Sequence, residues 1–411
     1  MQLFKRPTPH TIAFLLFLAF YLILYIDVRH IAWRDPGSIF FDPKLAFERH
    51  YSLAREAQAI SYIESAGQFG DYTKAGPDPS FCVGIPTLQR EGARYFQRAV
   101  GSVLAGLTED ERRDLFLVSF FVNLDPTEHV AFKESWLPHV MDKVLTYDDV
   151  PRDMKEKVEV LPPGDFMRKA LFDYVFLLRS CYESGTPWIV LLEDDVIGAD
   201  GWFYRMRNAV QELVGKWDFG SILYLRLFYN ERLLGWNSEE TFGYVVRSLM
   251  VEIFVAAVLF AILRYYPPSA TYITARTLST VILVCTPMLI TLYFCAGRLT
   301  VSPPSTGLSR MDTYGCCSQA FVFPREQVPD LITWYESNQL QGGFVDVLTE
   351  KYANMNGLDR WALTPSVFQH VGSTSSKGQF KSRWGRSNTE NIWNFSFERF
   401  DEVELRKDHF G

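Results

Sequence analysis

The sequence of 411 residues lacks an excess of basic residues and lacks the cysteine spacing of a zinc site. It has 41 Lys and Arg against 48 Asp and Glu, a net charge of −7, which argues against the basic surface of a nucleic-acid partner. None of its six cysteines forms a C-x-x-C pair, which argues against a structural metal. It shows no internal repeat or low-complexity tract. With 48% hydrophobic residues, it predicts a globular protein with a sizeable core.

Charge is also absent from residues 11–26, an apolar stretch preceded by basic residues. As a helix at ~1.5 Å per residue this stretch is about 24 Å long, and flanking side chains can extend its reach across a bilayer. No small-x-small cleavage site follows it. We therefore predict a transmembrane signal anchor at 11–26, with a cytosolic tail at 1–10. A cleaved signal peptide is the alternative.

Two further apolar runs flank a link, 264–276, that contains no acidic residue and has an arginine at each end. Basic residues and interfacial tyrosines are typical of the cytosolic side of a membrane. The pattern predicts a transmembrane hairpin over 248–296, with 264–276 as its cytosolic turn and the rest of the chain lumenal. A buried helical pair is the alternative, because Glu252 and Pro287 weaken the apolar signal.

Strands and helices alternate elsewhere. Strands are predicted at 81–85, 114–122, 188–192 and 320–323. Helices are predicted at 91–104, 171–181, 326–337 and 345–352. Apolar strands separated by helices indicate a mainly parallel α/β sheet covered on both faces. Residues 27–75 are predicted to be a lumenal stem or a helical region packed on the domain. One domain made of 76–247 and 297–411 follows, with the hairpin as an insertion.

Three consecutive carboxylates, Glu193, Asp194 and Asp195, follow the predicted strand at 188–192. Ligands of parallel sheets bind at the carboxyl ends of the strands. Crowded carboxylates repel one another unless a cation or hydrogen bonds compensate them, and a hard cation that also binds a diphosphate would do so. A solvated acidic turn is the alternative.

Polar residues follow two other predicted strands. Pro86 and Thr87 end the first, and Arg90 comes where we predict that a helix begins, so that free N–H groups and a cation could face an anion. Asn123 and Asp125 come just after the second. This position is ambiguous, because polar turns commonly end strands.

After the hairpin, Asp346 stands beside two glycines at the start of a predicted helix, a position suited to an ordered carboxylate base. His370 precedes Gly372 and the Ser/Thr run 373–376, whose polar atoms could close over phosphates. A lone histidine is more often structural than a ligand.

Lumenal placement also permits disulfides and glycosylation. Cys82, Cys181, Cys316 and Cys317 fall in segments predicted to be lumenal, and we predict one or two bridges involving the adjacent pair. The other two cysteines lie in an apolar run as buried thiols. Asn394 begins an N-glycosylation sequon, so a glycoprotein is expected if this segment is lumenal.

Together these segments resemble the GT-A glycosyltransferases. Within that fold, CVGIPTLQR, WIVLLEDD, GGFVDVL and PSVFQHVGSTSS resemble the Golgi family that adds N-acetylgalactosamine to glycosylphosphatidylinositol (GPI) anchors. A GT-A domain interrupted by a transmembrane hairpin is that family's unusual trait, and the resemblance covers residues 10–380. The last segment is similar also to N-glycan N-acetylglucosaminyltransferases of the fourth antenna type, which lack the hairpin.

The resemblance implies a role for each motif. The residues expected to bind a UDP-sugar are Pro86, Thr87, Arg90, Asn123, Asp125, Glu193 and Asp194. Mn²⁺ is expected at Asp195 and His370, although the family's motif begins with Asp where this chain has Glu. Asp346 would be the base of an inverting displacement. Tyr229 and Trp236 are the candidates for acceptor contact.

The resemblance also implies a multi-pass Golgi membrane enzyme whose acceptor is a mannose of the GPI glycan. Three spans would hold the domain near the bilayer, where a lipid-anchored acceptor is concentrated. Two alternatives stay open: a transferase that branches N-glycans, and a non-enzymatic membrane scaffold with a lumenal binding domain.

Overall fold

The structure is a computed structural model that describes residues 8–69, 72–162, 164–311, 315–339, 342–373 and 388–411. The chain divides into two compact units. The first combines the segment up to Glu48 with Glu231–Pro304, and the second combines Arg49–Asn230 with Ser305–Gly411. The sequence of the second unit is therefore interrupted by residues 231–304.

The first unit contains three helices that are long and apolar enough to cross a membrane. They fall within Pro9–Arg34, Glu231–Tyr265 and Ala275–Ala296, with mean hydropathies of 2.3, 2.3 and 2.0. Ahead of Pro287 the third becomes a π-helical turn, Val281–Cys285, because proline has no N–H and its ring crowds the carbonyl four residues back. These helices indicate a membrane protein.

The helical segments of the first unit are short apart from these spans. Its α-helices are Pro9–Ile31, Pro43–Ala46, Thr241–Tyr265, Ala275–Thr280, Thr286–Ala296 and Arg298–Val301. Its 3-10 turns are Ala32–Arg34, Glu231–Leu233, Ser238–Glu240 and Pro267–Thr271.

The second unit carries the sheets. In chain order its strands are Phe81–Thr87 (β1), Leu115–Phe121 (β2), Lys143–Leu145 (β3), Trp188–Leu192 (β4), Val196–Gly198 (β5), Ile222–Arg226 (β6), Gly307–Arg310 (β7), Ala320–Pro324 (β8), Asp359–Thr364 (β9) and Phe368–His370 (β10). Within the described residues, the main sheet has the order β3-β2-β1-β4-β8-β6-β9-β7, and β5 pairs antiparallel with β10. The pairs β1–β2, β1–β4, β2–β3 and β6–β9 are parallel, so the sheet is mostly parallel.

The helices of the second unit cover both faces of the sheet. Its α-helices are Tyr51–Phe69, Tyr95–Leu104, Glu109–Arg113, Leu137–Val140, Arg152–Glu159, Phe166–Glu183, Trp202–Lys216, Val328–Asn338, Val345–Asn356, Asn388–Asn391 and Glu402–Phe410. Its 3-10 turns are Pro126–Glu128, Val130–Lys133, Phe219–Ser221, Arg325–Gln327 and Phe397–Arg399.

An apolar core lies on each face of the sheet. Successive side chains of β4 enter the two cores in turn, which is why this strand is apolar throughout. Trp188, Val190 and Leu192 join one core, while Ile189 and Leu191 join the other. Burying each of the four aliphatic side chains contributes about 1.5–3 kcal/mol. The sequence predicted this strand with the bounds that the structure has.

The bounds of the predicted helices differ from the observed ones. The helix predicted at 171–181 is Phe166–Glu183, the one at 326–337 is Val328–Asn338, and the one at 345–352 is Val345–Asn356. The helix predicted at 91–104 begins only at Tyr95, because Gly92 takes a left-handed φ of +68° that interrupts a helix. Arg90 therefore lies in the loop after β1 and not at a helix N-terminus.

The glycosylation sequon is buried. Asn394 is 0% exposed, its Nδ2 donates to the carbonyl of Tyr229 (3.1 Å), and its Oδ1 accepts from the N–H of Phe397 (2.9 Å). A glycan on Nδ2 would displace both a hydrogen bond and the surrounding side chains. The structure thus argues against the glycoprotein expected from this sequon.

We expect peptide N-glycosidase F to leave the gel mobility of the purified protein unchanged, since a chain glycosylated at Asn394 could not reach this fold. The matched control is a variant with a sequon placed in the exposed helix Arg152–Glu159, which should shift if this segment is lumenal. A shift of the unmodified protein that Asn394→Gln abolishes would contradict the buried placement.

Candidate active site

Several residues predicted to bind the UDP-sugar lie together at the carboxyl edge of β1 and β4. These strands are parallel neighbours, so the residues that follow them meet. Thr87 donates its hydroxyl to Asp194 Oδ2 (2.8 Å), and Arg90 Nη1 donates to Asp194 Oδ1 (2.8 Å). Both oxygens of buried Asp194 are therefore engaged by protein donors, and Asp194 holds Thr87 and Arg90 in place.

His129 extends this network, and sequence reasoning missed it. Its Nδ1 accepts from the N–H of Ala131 (3.2 Å), so Nε2 carries the hydrogen and donates to Thr87 Oγ1 (3.0 Å). Burial lowers the pKa of His129 to about 4, so the imidazole is neutral near neutral pH. The signal in the sequence is weak, because this histidine belongs to a loop with no local motif.

The depressed pKa predicts a stability that depends on pH. In the unfolded chain His129 takes a proton below its ordinary pKa of 6.5, whereas in the folded chain it does so only near 4. The unfolded state binds more protons in this interval, so stability should fall as the pH drops from 6.5 towards 4. The melting temperature of His129→Gln, which still offers Thr87 an N–H donor, should fall less over this range. Parallel pH profiles of the two proteins would contradict the prediction.

Asp195 and His370 are brought together by the small sheet. In the β5–β10 pairing His370 lies opposite Val196, the residue after Asp195, and His370 Nε2 lies 3.5 Å from Asp195 Oδ2. Burial alone would raise the pKa of Asp195, but His370 and then Arg90 outweigh it and hold the pKa at about 2. Burial would likewise lower the pKa of His370, but the Asp195 carboxylate raises it.

This pair fits a divalent cation. Asp195 Oδ1 is buried and accepts no hydrogen bond from the described part of the chain. A Cβ on Gly372 would lie 2.4 Å from Asp195 Oδ2 and 2.9 Å from His370 Nε2, so only glycine permits this close approach. The described residues contain no cluster of three or more His, Cys, Asp or Glu able to hold a metal. The remaining ligands would therefore come from a diphosphate and water, as is usual for hard cations.

Glu193 is oriented by the segment that precedes β8. Ser318 Oγ donates to Glu193 Oε1 (2.7 Å), and Gln319 Nε2 donates to Glu193 Oε2 (3.3 Å). Because β8 lies antiparallel beside β4, its amino end meets the carboxyl end of β4. Sequence reasoning missed both donors, since they follow the cysteine pair without a recognisable pattern.

Asp346 lies in the first turn of the helix Val345–Asn356, where it was predicted, and is half-buried. Its Oδ2 accepts from the N–H of Cys317 (2.8 Å) and its Oδ1 from the N–H of Val347 (2.8 Å). Cys316 and Cys317 are joined to each other by a disulfide, and the second disulfide joins Cys82 to Cys181.

The other predicted donor residues lie around the same edge. Pro86 lies in β1 opposite Phe120. Asn123 Oδ1 accepts from the N–H of Gln89 (3.1 Å), which ties the loops after β1 and β2 together. Asp125 is exposed, and its hydrogen bond with Thr127 lowers its pKa as it caps the turn Pro126–Glu128.

The two acceptor candidates belong to different units. Tyr229 is buried in the second unit and donates to Thr364 Oγ1 (3.1 Å). Trp236 belongs to the first unit, where its Nε1 donates to the carbonyl of Phe294 (2.9 Å). Of the run predicted to close over phosphates, Ser373 donates its backbone N–H to the Tyr95 hydroxyl oxygen (2.8 Å), and the two hydroxyl groups are hydrogen-bonded to each other (2.9 Å). Residues 374–376 lie outside the described residues.

Several curated proteins are similar to part of the chain, and two of them are described here. Alpha-1,3-mannosyl-glycoprotein 4-beta-N-acetylglucosaminyltransferase A of Bos taurus is 25% identical over 186 residues, 40% of this chain and 32% of that protein. The Mus musculus alpha-1,3-mannosyl-glycoprotein 4-beta-N-acetylglucosaminyltransferase-like protein MGAT4D is 21% identical over 203 residues, 45% of this chain and 54% of that protein. The alignments thus span about a third and about half of these relatives.

The similarity and the site together define the class as glycosyltransferase. A family model described as "GPI-N-acetylgalactosamine transferase PGAP4" matches residues 81–369. This region holds Thr87, the acidic triplet 193–195 and Asp346, and ends one residue before His370. The chain belongs to the GPI-N-acetylgalactosamine transferase PGAP4 family.

Proposed function

We propose that the protein is an inverting GT-A glycosyltransferase that moves N-acetylgalactosamine from UDP-GalNAc to a mannose of the GPI-anchor glycan in the Golgi lumen. The observation that carries the proposal is the Asp195–His370 pair beside Arg90, at the carboxyl edge of the sheet in a member of this family. This edge is where open α/β sheets bind nucleotides.

The donor would bind across the loops after β1 and β4. Arg90 is held by Asp194 and lies 3.6 Å from Asp195, so its guanidinium can contact a diphosphate from a fixed position. Glu193, fixed by Ser318 and Gln319, would face the nucleoside.

Asp195 and His370 would hold Mn²⁺. When bound, the ion stabilises the negative charge that develops on the departing UDP. The guanidinium of Arg90 would stabilise the same negative charge. Histidine binds a metal ion through an unprotonated nitrogen, so Nε2 of His370 would have to be free of its proton to act as a ligand.

Asp346 would accept the proton of the acceptor hydroxyl as that oxygen attacks the anomeric carbon from the side opposite UDP. Both of its oxygens already accept backbone N–H groups, which orient the carboxylate. Each oxygen retains a further lone pair for the acceptor proton.

The acceptor assignment is supported by the family match and by the three apolar helices. An enzyme embedded by three spans searches the same thin layer as a lipid-anchored glycan. The proposed orientation places the N-terminus in the cytosol and the catalytic domain in the lumen. The second candidate, N-acetylglucosamine transfer to N-glycans, is favoured by the names of the two partial relatives.

A donor screen tests the proposal. UDP release by the detergent-purified protein with Mn²⁺ would be compared for UDP-GalNAc, UDP-GlcNAc and UDP-galactose, with a mannose-containing GPI glycan as acceptor. We expect turnover with UDP-GalNAc. A preference for UDP-GlcNAc with an N-glycan acceptor would favour the second candidate, and no donor turnover or UDP binding would favour a scaffold.

A further inference from the structure

The segment 316–319 contacts both halves of the proposed site. The N–H of Cys317 donates to Asp346 Oδ2 (2.8 Å), while the side chains of the next two residues donate to Glu193. One short stretch therefore connects the acidic triplet with the candidate base.

The conformation of Cys317 is unusual. Its φ is +88°, in the left-handed region that residues other than glycine rarely occupy. Such conformations persist where the surroundings enforce them, often at functional sites. Here the disulfide with Cys316 ties the side chain of Cys317 to its chain neighbour and restricts the backbone of both residues.

Arg226 also restrains the backbone of Cys316 and Cys317. It is fully buried at the end of β6, and its Nη1 donates to the carbonyl oxygens of Cys316 and Cys317, the latter at 2.6 Å. Its Nη2 donates to Glu350 Oε1 (2.7 Å), one helical turn after Asp346. Arg226 thus holds the cysteine loop and the helix of the candidate base at a fixed separation.

We propose that the Cys316–Cys317 disulfide, anchored by Arg226, is a positioning device for the reaction. It keeps the Cys317 N–H where it orients Asp346 towards the acceptor hydroxyl. This rests on the proposed role of Asp346 as the base. The disulfide therefore acts on the rate of transfer more than on the binding of UDP. The proposed phosphate contacts come from Arg90 and Asp195, and Glu193 is held by the side chains of Ser318 and Gln319, which lie outside the disulfide.

The test compares two ways of removing the disulfide. Cys316→Ser/Cys317→Ser removes the bond and leaves a residue that disfavours a positive φ, so we expect kcat to fall at least about 10-fold, because small misplacements of a reacting group are costly. Cys316→Ser/Cys317→Gly removes the same bond but places glycine where φ is positive, so kcat should recover by several-fold. The affinity for UDP, measured by calorimetry with Mn²⁺, should stay within about twofold in both variants, as the base does not hold UDP.

The matched control is Cys82→Ala/Cys181→Ala, which removes the other disulfide from the same unit. It should lower the melting temperature and leave kcat near that of the unmodified protein. Unchanged kcat in Cys316→Ser/Cys317→Ser would overturn the positioning role. So would a parallel loss of kcat and UDP affinity with no recovery in the glycine variant, because that pattern indicates a structural bond.

Asp346→Asn, assayed in parallel, separates this inference from the proposed function. Low turnover in Asp346→Asn with full turnover in the serine variant overturns the positioning role alone. Full turnover in Asp346→Asn overturns the base itself, and with it the premise of the positioning role.

Discussion

Replacing Asp195 by asparagine should lower the rate of UDP-GalNAc turnover by at least about 10³-fold at saturating Mn²⁺. Asparagine keeps the size of the side chain but loses the negative charge that the cation requires. It also removes the negative charge that faces His370 Nε2, 3.5 Å away. The measurement is initial-rate UDP release over a range of Mn²⁺ concentrations, together with the melting temperature.

The control for this variant is Asp153→Asn, on the exposed helix Arg152–Glu159. This variant should turn over UDP-GalNAc as fast as the unmodified protein. The same loss of charge is then tested far from the proposed site. A folded Asp195→Asn protein with normal turnover, or with turnover independent of Mn²⁺, would show that the acidic triplet is structural.

Asp346→Asn should lower kcat by roughly 10²–10⁴-fold, the usual contribution of a general base, with little change in UDP affinity. Asparagine can still accept the N–H of Cys317 through its amide oxygen, so the helix start should be kept. Transfer to the acceptor and hydrolysis of UDP-GalNAc should be measured separately. The rate of hydrolysis should fall less, because Asp346 is positioned to take a proton from the acceptor hydroxyl and not from water.

Asp330→Asn provides a matched control. Asp330 occupies the first turn of the neighbouring helix Val328–Asn338 and is exposed, so the same substitution there changes a helix-start charge without touching the proposed site. Equal activity of both variants would remove Asp346 from the mechanism. A loss of UDP affinity in Asp346→Asn equal to its loss of kcat would assign the residue to binding.

Local patterns predicted the parts of the site that lie at the ends of apolar strands. The strand Trp188–Leu192 and the acidic triplet after it were predicted because five buried side chains in sequence leave a clear signal. Asp346 was predicted because glycines precede the first turn of its helix. In both cases neighbouring residues in the chain determine the feature.

Features that depend on pairing between distant segments could not be predicted from local patterns. Only the family resemblance placed His370 with Asp195, because the two meet through the register of β5 with β10. Ser318 reaches Glu193 only because β8 lies beside β4. The start of the helix at Tyr95 was misjudged because Gly92 breaks a pattern that apolar spacing alone extends too far. His129 contributes through a hydrogen bond to Thr87, and no residue spacing in the sequence predicts this contact.

The place of β8 has a consequence for how the chain is made. This strand lies between β4 and β6, yet it is synthesised after both and after residues 231–304. At ~5–20 residues per second, the ribosome needs roughly 5–20 s to pass from β6 to β8. During that time β4 and β6 have open edges that can pair with other chains. If residues 231–304 crossed the membrane an odd number of times, β8 would emerge on the opposite side and the nascent sheet could not close.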